Sequence, residues 1–237
     1  MDIAAHHTCR AARRPCRAAI CFALRLAAPR RAAKLCFAVS QEESRERLCL
    51  DRLLQSSTMF QISRRTPAYY FTSVTHKRLP IFRTDKLKQV LCDAYREACD
   101  RHGILMLAYV IMVDHTHLLV RAEREMDEVL RLLNGVAAKR IIDYLKDNGF
   151  EESLFKLRGE IKERNHRHSV WQHHPDSLEI FSEDTFKQKC EYIHMNPVRA
   201  GFVDKPLAYH FSSARHWANQ ALDEEPLRTD HQLIDWR

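Results

Sequence analysis

The chain lacks any run of roughly eighteen uncharged apolar residues, which excludes a membrane-spanning helix. It also lacks a C-x-x-C pair among its eight cysteines, which argues against a zinc ribbon. Cys9, Cys16, Cys21, Cys36 and Cys49 precede Met59, while Cys92, Cys99 and Cys190 fall in helical patterns. These read as reduced thiols of a cytosolic protein, not as a disulfide framework. Most of the chain lacks an excess of charge. The net charge of +7 resides in residues 1–40, where seven arginines and Lys34 stand against Asp2. Beyond that segment acids and bases balance, so any polyanion must be held by local patches.

Residues 1–58 are rich in Ala, Arg and Cys and carry no clear strand pattern. Arg25 interrupts the apolar stretch 18–28, unlike a secretory signal. Two readings fit: an organelle transit peptide, or an over-extended reading of the gene with the true start at Met59. The coherent pattern that begins just after Met59 favours the second. Either way the segment is expected to be poorly ordered.

From Pro67 the pattern becomes regular. Residues 69–75 are aromatic and β-branched, a strand. Residues 85–101 carry Leu87, Val90, Leu91, Ala94, Tyr95 and Ala98 on one stripe, with Gly103 beyond, an amphipathic helix with its stop signal. Residues 104–112 and 116–121 read as two strands joined tightly at 113–115. A second helix spans 126–147, closed by Gly149. Residues 151–168 are charged and read as an irregular excursion. Val170-Trp171 and residues 178–181 suggest a further strand or strand pair. Ser182 can cap a third helix that runs toward Pro197, which biases Asn196 toward a helix end. The order β-α-β-β-α-β-α predicts an α+β fold of ferredoxin-like type, an antiparallel sheet with helices on one face. The domain takes residues 59–218, and 219–237 form a C-terminal tail.

Two constellations carry chemistry. His115 and His117 alternate on a strand and so share a face. They fit two hydrogen-bonded surface histidines, or two imidazole ligands. Imidazoles alone favour zinc, copper, nickel or iron, and an added amide oxygen with open positions suits Mg²⁺ or Mn²⁺. Asp114 is either a turn residue or the acceptor that orients a ligand ring. Tyr192 and Asn196 lie one turn apart on the third helix, beside a buried stripe of Phe186, Cys190 and Ile193, with Lys189 on the same flank. Tyr192 fits an amphipathic tyrosine at the core edge, or a nucleophile that a neighbouring metal and cation would activate.

Val113-Asp114-His115-Thr116-His117-Leu118-Leu119-Val120, followed by Tyr192-Ile193-His194-Met195-Asn196-Pro197-Val198-Arg199-Ala200-Gly201-Phe202-Val203, resembles the REP-associated tyrosine transposases. These are single-tyrosine transposases with a histidine–hydrophobe–histidine motif. The opening strand and Phe211-Ser212-Ser213-Ala214 are similar too, and the likeness covers roughly residues 65–218. Thr116 stands where a hydrophobe is usual, and Val113 where proline is frequent.

The resemblance implies that His115, His117 and Asn196 hold Mg²⁺ or Mn²⁺ and that Tyr192 is the nucleophile. It implies cleavage and strand transfer of single-stranded or hairpin DNA through a 5′-phosphotyrosine, by a cytoplasmic monomer or homodimer. Arg199, Lys189, Lys139 and Arg140 are candidate phosphate contacts, as is the cluster His76-Lys77-Arg78. Trp171 is either core or a base-stacking residue. Two other readings stand beside this one: an idle hairpin-DNA binder of the same fold, and a zinc hydrolase that uses the histidine pair with a third strong ligand.

Overall fold

The structure, a computed structural model, describes residues 59–158, 168–173 and 175–236. The readings made for residues 1–58 lie outside the described residues. Four strands form one antiparallel sheet. They are β1 (Ala68–Val74), β2 (Leu105–Ile111), β3 (His115–Arg121) and β4 (Asp176–Ile180), in the order β2-β3-β1-β4. The long helices are α1 (Asp85–His102), α2 (Met126–Asp147) and α4 (Glu183–Arg199); α3 (Glu151–Lys156) and α5 (Ala214–Trp217) are short. This is the α+β, ferredoxin-like arrangement the pattern predicts. No helix among the described residues is long and apolar enough to cross a membrane.

Register decides the faces. Ser73 pairs with Thr116 and Phe71 with Leu118, while Thr72 pairs with His117 and Tyr70 with Leu119. The first set meets α1 and α2. Tyr95 of α1 hydrogen-bonds Thr116 at 3.2 Å, and Asn134 of α2 bonds Ser73. Phe71, Leu118, Val120, Leu91 and Leu133 are buried there. The second set meets α4, which lies on the opposite face. Helices therefore cover both faces, not one. The reason is that strand alternation gives β1 and β3 an apolar half and a half rich in Tyr, Thr and His, and α4 carries the partners of the second.

Helix boundaries follow their caps. Thr84 accepts from the Leu87 N–H at the start of α1, and Gly103 ends it at φ 65°. Ser182 accepts from the Thr185 N–H at the start of α4. Pro197 does not end α4, which runs to Arg199 with the ring buried. Proline lacks only its own N–H, and the turn closes around it: Ala200 N donates to Asn196 O and Phe202 N to Pro197 O, both at 2.9 Å. The excursion at 151–168 also begins with order. Glu152 and Lys156 pair at 2.6 Å across one turn of α3, and Leu154 is buried.

The loop after β1 is tied to the β2–β3 turn, with Thr75 N donating to Asp114 O and Phe82 N to Val113 O. The segment 219–236 packs within the same compact unit as the sheet, with Leu227 and Ile234 buried.

Candidate active site

β1, β3, β4 and α4 border an open groove of about 560 Å³. His115 and His117 enter it from alternate positions of β3, their rings 4.9 Å apart. His115 opens the strand and bonds backward: its Nδ1 lies 2.6 Å from Asp114 Oδ1. Arg78 donates to the other Asp114 oxygen at 3.2 Å. Burial works to raise the Asp114 carboxyl, but the His115 and Arg78 contacts outweigh it and hold it below its ordinary value. Asp114 is thus both a turn residue and the acceptor that orients a ring.

His117 is only 4% exposed. Its Nδ1 lies 2.9 Å from both the Tyr70 hydroxyl and the Thr72 hydroxyl. Thr72 in turn donates to Tyr70 at 3.2 Å. Burial, helped by the neighbouring His115, pushes His117 down to about 3, against a hydrogen bond that the Asn196 side chain accepts from it. His117 is therefore neutral at physiological pH, the state a metal ligand requires. On both rings Nδ1 is engaged by protein, which leaves Nε2 as the remaining donor atom.

Tyr192 is 38% exposed, and its ring stands edge-on to His117 at 5.3 Å. Asn196 donates from Nδ2 to the Tyr192 carbonyl at 2.9 Å, which turns its Oδ1 toward His117. Lys189 Nζ lies 4.7 Å over the Tyr70 ring and 5.8 Å from that of Tyr192. Arg199 lies 5.1 Å over the Tyr192 ring. Two imidazoles, an amide oxygen and open solvent fit a hard divalent ion with free positions. Among the described residues no group of three or more His, Cys, Asp or Glu is placed to hold a metal.

The structure thus brings His115, His117, Tyr192, Asn196, Lys189 and Arg199 together. Lys139 and Arg140 stand apart, on exposed positions of α2 across the sheet, where Arg140 binds Glu97 at 2.7 Å. Trp171 is core: it packs on Phe82 at 5.8 Å and donates to Asn134 O. Tyr70, Thr72 and Asp176, which also border the groove, went unnoticed in the sequence. Tyr70 and Thr72 share a face of β1, but only the pairing of Thr72 with His117 across the sheet brings that face to the histidines.

The family described as "Transposase IS200 like" matches residues 65–196. A REP-associated tyrosine transposase of Haemophilus influenzae is 28% identical over 147 residues, covering 61% of this chain and 78% of the relative. Among solved structures, a REP-associated tyrosine transposase bound to a REP hairpin is similar with a TM-score of 0.48 at 16% identity, over 75% of this chain and 91% of that one. A transposase from Deinococcus radiodurans is similar with a TM-score of 0.39 at 22% identity, over 54% of this chain and 88% of that one. The chain belongs to the IS200-like transposases, the family within which the resemblance to REP-associated tyrosine transposases falls.

Proposed function

We propose that this transposase cleaves and rejoins single-stranded DNA at hairpin-forming repeats through a phosphotyrosine on Tyr192. The observation that carries this reading is the partly exposed Tyr192 ring standing 5.3 Å from that of His117, with the Lys189 and Arg199 cations 5.8 Å and 5.1 Å from it. His115, His117 and Asn196 would hold Mg²⁺ or Mn²⁺. Bound there, the ion supplies Lewis acidity to the scissile phosphate.

The protein groups do the rest. Lys189 and Arg199 meet the charge of the phosphate and seat it over Tyr192. The Tyr192 oxygen attacks phosphorus, the bond to the 3′-oxygen breaks, and a 5′-phosphotyrosine with a free 3′-OH results. Attack by another 3′-OH reverses the step and joins strands. The covalent intermediate conserves the phosphodiester through both halves. Acting on chromosomal repeats, the protein works in the cytoplasm as a monomer or homodimer.

The test uses the full chain, Mn²⁺ and labelled single-stranded hairpins from the DNA that flanks the gene. A labelled band shifted by the mass of the protein under denaturing conditions is expected, and Tyr192→Phe should lose it while DNA binding stays within about twofold. An adduct that persists in Tyr192→Phe refutes the nucleophile. Cleavage without any adduct points to the zinc hydrolase, and binding without cleavage to the idle binder.

A further inference from the structure

A second, shallower depression of about 400 Å³ lies across the loop that follows β1. Lys77 and Leu79 of that loop line one side, and Phe155, Lys156 and Arg158 line the other. Its chemistry is three cations around an aromatic ring. Phe155 is 66% exposed, and the Arg158 guanidinium lies 5.3 Å over its ring. Core packing does not account for a phenyl ring in that position. Lys156 holds Glu152 at 2.6 Å, an exposed one-turn pair that a phosphate can displace at little cost.

The loop itself joins this depression to the groove. Lys77 and Arg78 are consecutive non-glycine residues at φ 52° and 53°, the left-handed region that L side chains rarely adopt. This conformation persists because Thr75 is held by Asp114, Arg78 N donates to Thr75 O and Leu79 N to His76 O. As a result two neighbouring cations serve two sites, Arg78 at the groove and Lys77 at the depression.

We propose that the depression is a subsite for single-stranded DNA that leaves the groove over the Lys77–Arg78 loop. Phe155 stacks an unpaired base, and Lys77 and Arg158 contact the adjoining phosphates. A duplex would use the cations and leave the ring idle, because its base faces are already stacked; an unpaired nucleotide uses both. The inference rests on the reading of the groove as a DNA site.

The experiment measures binding of the full chain without divalent metal, by fluorescence anisotropy. The probes are one DNA hairpin with a single-stranded tail at its 5′ end, one with a tail at its 3′ end, and one with none. Phe155→Leu and the double variant Lys77→Gln with Arg158→Gln are compared with the unaltered protein. Each should weaken binding of a tailed hairpin by roughly tenfold and leave the tailless hairpin unchanged. The double variant should also lower the slope of log Kd against log salt by about two. Unchanged binding of both tailed hairpins overturns the proposal. Equal loss on tailed and tailless hairpins overturns it too, since the contact is then with paired stem. The adduct assay reports the groove independently. An adduct with variants that bind normally removes the subsite alone, whereas tail-specific loss without any adduct retains the subsite and removes the tyrosine chemistry.

Discussion

The His117 imidazole has two hydroxyl neighbours at one nitrogen, and the direction of their bonds decides which nitrogen is left for a metal. Thr72 donates its proton to Tyr70, so its oxygen faces Nδ1 as an acceptor. With Nδ1 as the donor to that oxygen, Nε2 carries the lone pair that a metal needs. Tyr70 is 6% exposed, and its ring stacks on His117 and meets Tyr192 edge-on. The double variant Tyr70→Phe with Thr72→Val keeps the packing and removes both acceptors. Mn²⁺ affinity by calorimetry should fall roughly 10- to 100-fold, with the thermal midpoint little changed. Affinity equal to that of the unaltered protein would show that the hydroxyls do not orient the ring. His115, His117, Tyr192 and Asn196 were legible because each pair obeys a local period, two along a strand or four along a helix. Tyr70 and Thr72 were not, because the relation of Thr72 to His117 exists only in the β1–β3 register, which no local spacing encodes.

At the scale of the element, α4 was half legible. Its cap and buried stripe followed from Ser182, Phe186, Cys190 and Ile193, but its end and its face did not. Pro197 is a stop signal only where the freed carbonyl has no other use, and here the chain turns on without a break. The face was hidden because the groove side of the sheet is polar, so periodicity alone assigned no helix to it. His194 fastens the element there: its Nε2 lies 2.8 Å from Ser213 Oγ, which accepts from Tyr109 N at 2.9 Å on β2. Burial, with a smaller effect from His231, pushes His194 down to about 4. Its unfolded value is near 6.5, so between these limits the unfolded chain binds more protons than the native one. The stability associated with neutral His194 is therefore complete above pH 6.5 and is lost as pH falls toward 4, at up to about 1.4 kcal/mol per pH unit. His194→Gln should be less stable at pH 7.5, by about 1–3 kcal/mol, because the buried imidazole and its bond to Ser213 are lost. Its urea midpoints should nonetheless converge on those of the unaltered protein as pH falls, and parallel curves would remove His194 from the acid response.

Across the whole molecule, the sequence divided what the fold unites. Residues 219–237 were set apart as a tail because they carry neither a helical nor a strand period. Their order comes instead from scattered long-range contacts. Asp230 N donates to Met106 O at 2.7 Å and its carboxylate accepts from Met106 N, so the segment borders β2. Phe60 and Ile234 form a parallel bridge, which joins the first described residues to the last. Phe186 of α4 meets Trp217 at 5.8 Å and Trp236 at 5.7 Å, so this end of the chain also backs the helix that carries Tyr192. The firmest tie is the fork between Arg215 and Glu225, at 2.6 Å and 2.8 Å, with the Glu225 side chain 2% exposed. A buried pair is costly to break from one side, because the remaining charge stays buried without its partner. Glu225→Gln should therefore destabilise the domain by about 3–5 kcal/mol in urea unfolding. Replacing both members, Arg215→Met with Glu225→Leu, should cost far less, since no charge is then stranded. If the double variant is as unstable as the single, the fork is a geometric anchor for the segment and not an electrostatic one. If the single variant costs under about 1 kcal/mol, residues 219–236 are held by the Asp230–Met106 hydrogen bonds and the packing of Leu227, Ile234 and the tryptophans, not by the fork.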